Sequence, residues 1–428
     1  MLVDMSISKL QDILSLDECL QIVRNDLDTK LIKEIKIINY EIKKADDLCG
    51  FMGEYFKLII KAQIELLQDN GQSVKIFNYF IKSQPIFNEL QRIHCESKGV
   101  FRKESGIYKN ILPNLQRYAK KELFAKCYLA KEDLIVLEDL MQSGKCIRHL
   151  KSNEYNENYY KLVLQYLAEL HVASMSWELR DKINIQKDFS HILFELDLTV
   201  TNDWFCTGVK SILFLAQKHP QFQYSAAQDF IKEKLYDLLE NLEEFINASA
   251  STQNVFCHRD VWGENIFFQY DEKYTNEAIG CRIVDFSSAR YCPPAIDVLY
   301  FLYNNLPLNA ERCELLKILL DFYYNSLSGL ARNMHLKLET YTRKHFDEDC
   351  QRALLPVLVQ RAICEPLMKL PEGWAQKMRR EESETYDYYM NVDRTEMFLR
   401  VSQLDENYED LILKPIQEIM TYFGFKGQ

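Results

Sequence analysis

A handful of residues near the middle of the chain have the types and spacing that phosphoryl transfer requires. In CHRDVWGENIFFQY, residues 257–270, Asp260 precedes Asn265 by five positions, and Asp285 follows in VDFSSAR. Moving a γ-phosphoryl group to a hydroxyl needs a carboxylate to orient the hydroxyl and take its proton, and oxygen ligands to hold Mg2+ against the phosphates. Asp260 suits the first task; Asn265 and Asp285 suit the second. The same chemistry calls for a cation on the phosphates with a carboxylate to orient it. Lys82 in YFIKSQP and Glu104 in FRKESGIY stand upstream in the right order for those parts. Taken singly, Lys82 reads as an exposed strand-end lysine and Glu104 as part of a solvated helical face. Their joint order ahead of HRD and DF favours function.

The elements that must carry these residues change character along the chain. Residues 7 to 29 have apolar side chains closer to helical spacing than to strict alternation, which predicts an N-terminal helical extension over 1–30. Three β-prone runs follow, IKIINYEI, YFKLIIKAQIEL and KIFNYFIK, with hairpin-length links, and predict an antiparallel sheet whose third strand ends at Lys82. A helical stretch from IFNELQRIHCESKG to ILPNL comes next, then DLIVLEDLM, whose apolar centre suits a buried strand. A small β-rich domain over 31–141 is therefore expected, followed by a mainly helical one over 142–428. The exception in the second part is a β-prone pair, NIFFQY and CRIVDF, flanking a polar turn.

Composition narrows the classes. The 428 residues are 47% apolar and 27% charged, a globular balance long enough for two cores. A net charge of −11, with no concentrated Lys or Arg, argues against a nucleic-acid partner. The 12 cysteines contain no CxxC pair and the 8 histidines no ligand-spaced set, so reduced thiols in a cytoplasmic protein are expected. No apolar run reaches the length of a membrane span, and no obligate protein partner is evident.

The set LIVLEDL, YLAELHVAS, CHRDVWGENIFF and RIVDFSSARYCPPAIDVLYFL resembles the ecdysteroid-kinase-like family, which has a choline-kinase-like domain within the aminoglycoside phosphotransferase and choline kinase branch of the protein-kinase-like fold. The resemblance covers roughly residues 30 to 420. It implies an α+β bilobal fold, with a small β-rich N-lobe, a larger helical C-lobe and ATP in the cleft. The adenine would lie against the linker VLEDLM, read by backbone groups near Glu138 and Leu140. It further implies that Asp297 is a buried carboxylate holding catalytic-loop amides and that His258 braces that loop. The family usually has HGD where this chain has His258-Arg259-Asp260, and a glutamine where it has Ser287. The phosphate-covering stretch DDLCGFMGEY keeps only Gly50 and Gly53 and has no GxGxxG.

A peptide substrate is not expected. Protein kinases place a segment of roughly tens of residues between DFG and APE as a peptide platform. Here Asp297 follows Asp285 by only 12 positions, with no APE-like motif between them. Trp262 stands where protein Ser/Thr kinases commonly carry a lysine for the transferring phosphate, and it serves either as an apolar wall for the substrate or as packing under the loop. His171, in LAELHVAS, reads as a packed helix residue beneath the loop. The resulting expectation is an ATP- and Mg2+-dependent kinase acting on a small-molecule hydroxyl, with an ecdysteroid-like steroid suggested by the family name. The alternatives are a choline- or aminoglycoside-type acceptor, for which the acidic, tyrosine-rich EESETYDYYMNV leaves room, and a pseudokinase serving as a binding module.

Overall fold

The computed structural model describes residues 13–427 apart from 28, 46–52, 68–71, 143–146, 152–153, 272–276, 308–311 and 339–340. Most of the phosphate-covering stretch, Gly50 included, and the first residues of the expected N-terminal helix therefore lie outside the described residues. Two compact units divide the chain: Met1–Lys151 with Glu264–Ser287, and Ser152–Gly263 with Ser288–Gln428.

In the first unit, a helix α1 (Leu16–Asp26) starts at Ser15, whose hydroxyl caps the Glu18 N–H while the Glu18 carboxylate accepts the Ser15 N–H, a reciprocal cap. The strands β1 (Ile32–Lys44), β2 (Glu54–Leu66), β3 (Gln72–Ser83), β4 (Cys127–Ala130) and β5 (Leu134–Glu138) form one antiparallel sheet in the order β1-β2-β3-β5-β4. Alternation drives it. Phe56, Leu58, Ile60 and Ala62 of β2 are all buried on one face, where they pack with Tyr79 and Ile81 of β3 and with Cys19, Ile22 and Val23 of α1. Burying each of the large side chains is worth about 1.5–3 kcal/mol, so α1 is an integral layer on the sheet.

The stretch from 86 to 115 forms separate helices: α2 (Glu89–Lys98), α3 (Val100–Asn110) and α4 (Leu112–Tyr118). Gly99, at a φ of 68°, ends α2 in the left-handed conformation that glycine tolerates, and Pro113 sits in the first turn of α4. A second sheet joins β6 (Ile147–His149) to β8 (Ile266–Tyr270) and β9 (Ala278–Ile283). The β8–β9 hairpin thus belongs to the sheet-bearing unit, although in sequence it lies within the helical part.

The second unit is mainly helical. Its central helix α5 (Glu157–Asp181) buries nearly every side chain from Val163 to Trp177, the pattern of a helix surrounded on all sides. The remaining helices named here are α6 (Asp203–Lys218), α7 (Ala295–Asn305), α8 (Arg312–Asn333) and α9 (Arg343–Met368); α5 packs on α8 and α7 on α9. A two-stranded ribbon, β7 (Val255–Cys257) with β10 (Arg290–Cys292), is tied to α5 where the Phe256 N–H donates to Ser174 Oγ at 2.8 Å. No helix among the described residues is long and apolar enough to cross a membrane.

Candidate active site

Within the sheet-bearing unit, Lys82 is the meeting point. It stands one residue after Ile81, so the strand's alternation turns it to the face opposite the core, and there α3 brings Glu104 to it. Lys82 Nζ lies 2.8 Å from Glu104 Oε2 and 2.8 Å from Asp285 Oδ2. Both Lys82 and Glu104 are buried, so neither is the exposed strand-end lysine or solvated helical glutamate that each resembles when taken singly. Burial works against the ammonium, and the carboxylates of Asp285 and Glu104 outweigh it, holding the Lys82 pKa well above the ordinary lysine value. Burial pushes the Glu104 carboxyl up to about 7, against the pull of Lys82.

Asp285 follows the end of β9. Ile266 pairs with Ile283, and the Val284 N–H donates to the Asn265 carbonyl at 3.0 Å, so Asn265 and Asp285 leave the hairpin at the same end. Asp285 has a φ of 67°, a left-handed conformation that aspartate tolerates better than most residues. The next residue holds it there: Phe286 packs edge-on against Tyr108 of α3 at 5.9 Å and against Phe124 at 5.5 Å. Ser287, where the family usually has glutamine, donates its hydroxyl to Asp285 Oδ1 at 2.7 Å. The donor set offered here is the Asn265 amide oxygen and the Asp285 carboxylate, hard oxygens of the kind Mg2+ prefers, beside a lysine. Glu138 ends β5, its N–H committed to the Lys126 carbonyl at 2.8 Å; Glu138 and Leu140 are both buried.

The helical unit holds the remaining residues singled out in the sequence. Asp260 accepts the Tyr300 O–H on Oδ1 at 3.0 Å, and its own N–H donates to His258 Nδ1 at 3.2 Å. Asp297 is fully buried. It accepts the N–H of His258 on Oδ2 at 2.7 Å and that of Arg259 on Oδ1 at 2.6 Å, and it meets His171 Nε2 at 3.2 Å. His171 is thereby packed under the loop, its other nitrogen 2.7 Å from Tyr323 Oη. A single helix, α7, thus reads four consecutive loop residues, since Asn305 Nδ2 also donates to the Val261 carbonyl at 3.2 Å. Trp262 is half-buried. Farther along, Tyr386 and Tyr389 of the tyrosine-rich stretch are buried, and Glu382 pairs with Arg400 at 2.8 Å, so much of that stretch is engaged within the chain.

The arginine at 259 has a physical account. Its φ is 67°, a backbone suited to the glycine the family usually carries there. Its buried guanidinium lies 2.5 Å from Glu195, which also takes Arg290 at 2.8 Å, while Arg259 Nε and Nη2 have no hydrogen-bond acceptor among the described residues. The left-handed strain of about 1–2 kcal/mol is offset by that ion pair and by the two amides that Asp297 holds. Arg259→Gly should therefore fold with higher stability than Arg259→Ala, by about 1 kcal/mol in denaturant melts, because both lose the pair and only alanine keeps the strain. Equal stability of the two variants would show that the backbone is not strained.

Sequence reasoning missed Tyr300 and Glu195. Tyr300 had one available signal, its position one helical turn from Asp297; Glu195 had none. Residues 52–336 match the model of the ecdysteroid kinase-like family. No curated protein matches the chain. Similar solved structures include an aminoglycoside 2'-phosphotransferase-IIIa mutant in complex with GDP, at 11% identity over 95% of this chain and 98% of that one, with a TM-score of 0.39. Others are choline kinase LicA from Streptococcus pneumoniae, at 14% identity, 79% and 98% coverage and a TM-score of 0.30, and a choline/ethanolamine kinase family protein from Mesorhizobium loti, at 12%, 98% and 100%, and 0.32.

Proposed function

The chain belongs to the ecdysteroid kinase-like family, and from that premise we propose that it is an ATP- and Mg2+-dependent phosphotransferase acting on a hydroxyl of a small, steroid-like molecule. The observation that carries this reading is the Lys82–Glu104–Asp285 group, its lysine and glutamate buried and its aspartate half-buried, assembled at the end of the hairpin from which Asn265 also departs. A chain that needed only to fold would gain more from apolar residues there, because desolvating the Lys82–Glu104 pair costs several kcal/mol per ion.

In this reading Lys82 would take phosphate oxygens, Glu104 holds its ammonium in place, and Asn265 and Asp285 would hold the metal ion. Backbone groups near Glu138 and Leu140, at and just past the end of β5, would read the adenine. Bound Mg2+ would neutralise charge on the phosphates. Asp260 orients the acceptor hydroxyl and receives its proton on a carboxylate oxygen. A small acceptor is favoured because the residues between Asp285 and Asp297 are already used by β10 and the start of α7, leaving no peptide platform.

Thermal denaturation with millimolar ATP and Mg2+ tests the nucleotide half, and ATP consumption with sterols, amines and plant phenolics tests the acceptor class. The melting temperature should rise with ATP and Mg2+ together. Asp285→Ala should weaken Mg2+-dependent ATP affinity roughly tenfold or more, since it deletes a direct metal ligand. No stabilisation of the wild-type chain would leave a binding module in place of an enzyme.

A further inference from the structure

Tyr300 is fully sequestered in α7, yet its hydroxyl reaches the Asp260 carboxylate at 3.0 Å. A carboxylate accepts, so the single Tyr300 proton goes to Asp260 Oδ1. The other groups facing this pair are His258, through the Asp260 N–H, and the Asp197 carboxylate and the Cys364 thiol, which bear on Tyr300.

We propose that Tyr300 is a positioning residue for Asp260: a buried donor on α7 that fixes the rotation of the carboxylate and favours its ionised form. The proposal rests on the reading of Asp260 as the group that takes the acceptor proton. It assigns α7 two tasks one helical turn apart, Asp297 holding the loop backbone and Tyr300 aiming the side chain that the loop presents.

The test is Tyr300→Phe, which keeps the ring and deletes the donor, beside 3-fluorotyrosine in place of Tyr300, which keeps the donor and makes it more acidic. For Tyr300→Phe, kcat should fall roughly tenfold with KM for ATP unchanged. Losing a donor to the charged form raises the Asp260 pKa, so the acid limb of the kcat–pH profile should move to higher pH. A second readout needs no turnover: the Asp260 titration, isolated as the difference between 13C carboxyl spectra of the wild-type and Asp260→Asn chains, should move the same way. The fluorinated side chain, a stronger donor of the same shape, should shift both in the opposite direction. A fall in kcat with neither the acid limb nor the carboxyl titration displaced would reduce Tyr300 to packing and overturn the proposal, as would wild-type behaviour of Tyr300→Phe. Should Tyr300→Phe not fold, the absence of that opposite shift with 3-fluorotyrosine would overturn it too. Full turnover in Asp260→Asn would remove the reading of Asp260 as the base, while the carboxyl titration would still decide whether Tyr300 controls that side chain.

Discussion

Asp260→Asn should lower turnover by about a hundredfold to ten-thousandfold while leaving the fold and nucleotide binding close to wild type. The expectation follows from what each contact at Asp260 asks of it. The Tyr300 hydroxyl needs only an acceptor oxygen, which asparagine retains, and the Asp260 N–H that donates to His258 is untouched. Lys82, Glu104, Asn265 and Asp285, the groups assigned to nucleotide and metal, are themselves unaltered by the substitution. What the substitution removes is the basic oxygen that can take a proton, so the loss should fall on kcat with ATP-dependent thermal stabilisation preserved. ATP consumption with the acceptor panel and a thermal melt, run on the same two chains, check the two halves together. Turnover equal to wild type would take Asp260 out of the mechanism.

Much of this arrangement was legible in the sequence because it rests on periodicity and spacing. Alternation in β1, β2 and β3 gave the sheet, and the order Lys82, Glu104, Asp260, Asn265, Asp285 gave a list of groups that one chemistry could use. What was not legible depends on side chains meeting across distant parts of the chain. The four-residue strand β4 is too short for a periodic signal. The breaks inside 86–115 were written in Gly99 and Pro113, but apolar periodicity ran through them and masked three helices as one stretch. Arg259 stood out only as a departure from a pattern. Its left-handed backbone, and Glu195 as its partner from 64 positions earlier, required the fold to be known. Tyr300 was hidden for a related reason: in an apolar helix a tyrosine reads as core, and it is core, except for one oxygen atom.

Asp297→Asn is the substitution expected to cost most in stability, about 3–5 kcal/mol, with loss of turnover following from the damaged loop. Each Asp297 oxygen accepts a backbone N–H, from His258 on one side and from Arg259 on the other, and Oδ2 also meets the His171 ring. Asparagine can satisfy one of these N–H groups. Turned either way it sets an NH2 against the other, leaving donors face to face in a site with no exposure to water. Burial alone would raise the Asp297 pKa, but the hydrogen bond and charge of His171, with the His258 contacts, hold it below the usual aspartate value. A depressed folded-state pKa contributes stability that is present above the unfolded-state value and is lost as pH falls through the folded one. The difference in stability between wild type and Asp297→Asn should therefore be full at neutral pH and shrink in acid, below the ordinary aspartate pKa of about 4. Denaturant melts across that range measure it directly. A gap that persisted unchanged into acid would mean the loop is held by shape and not by the charge of Asp297, and the strained backbone at Arg259 would then need another support.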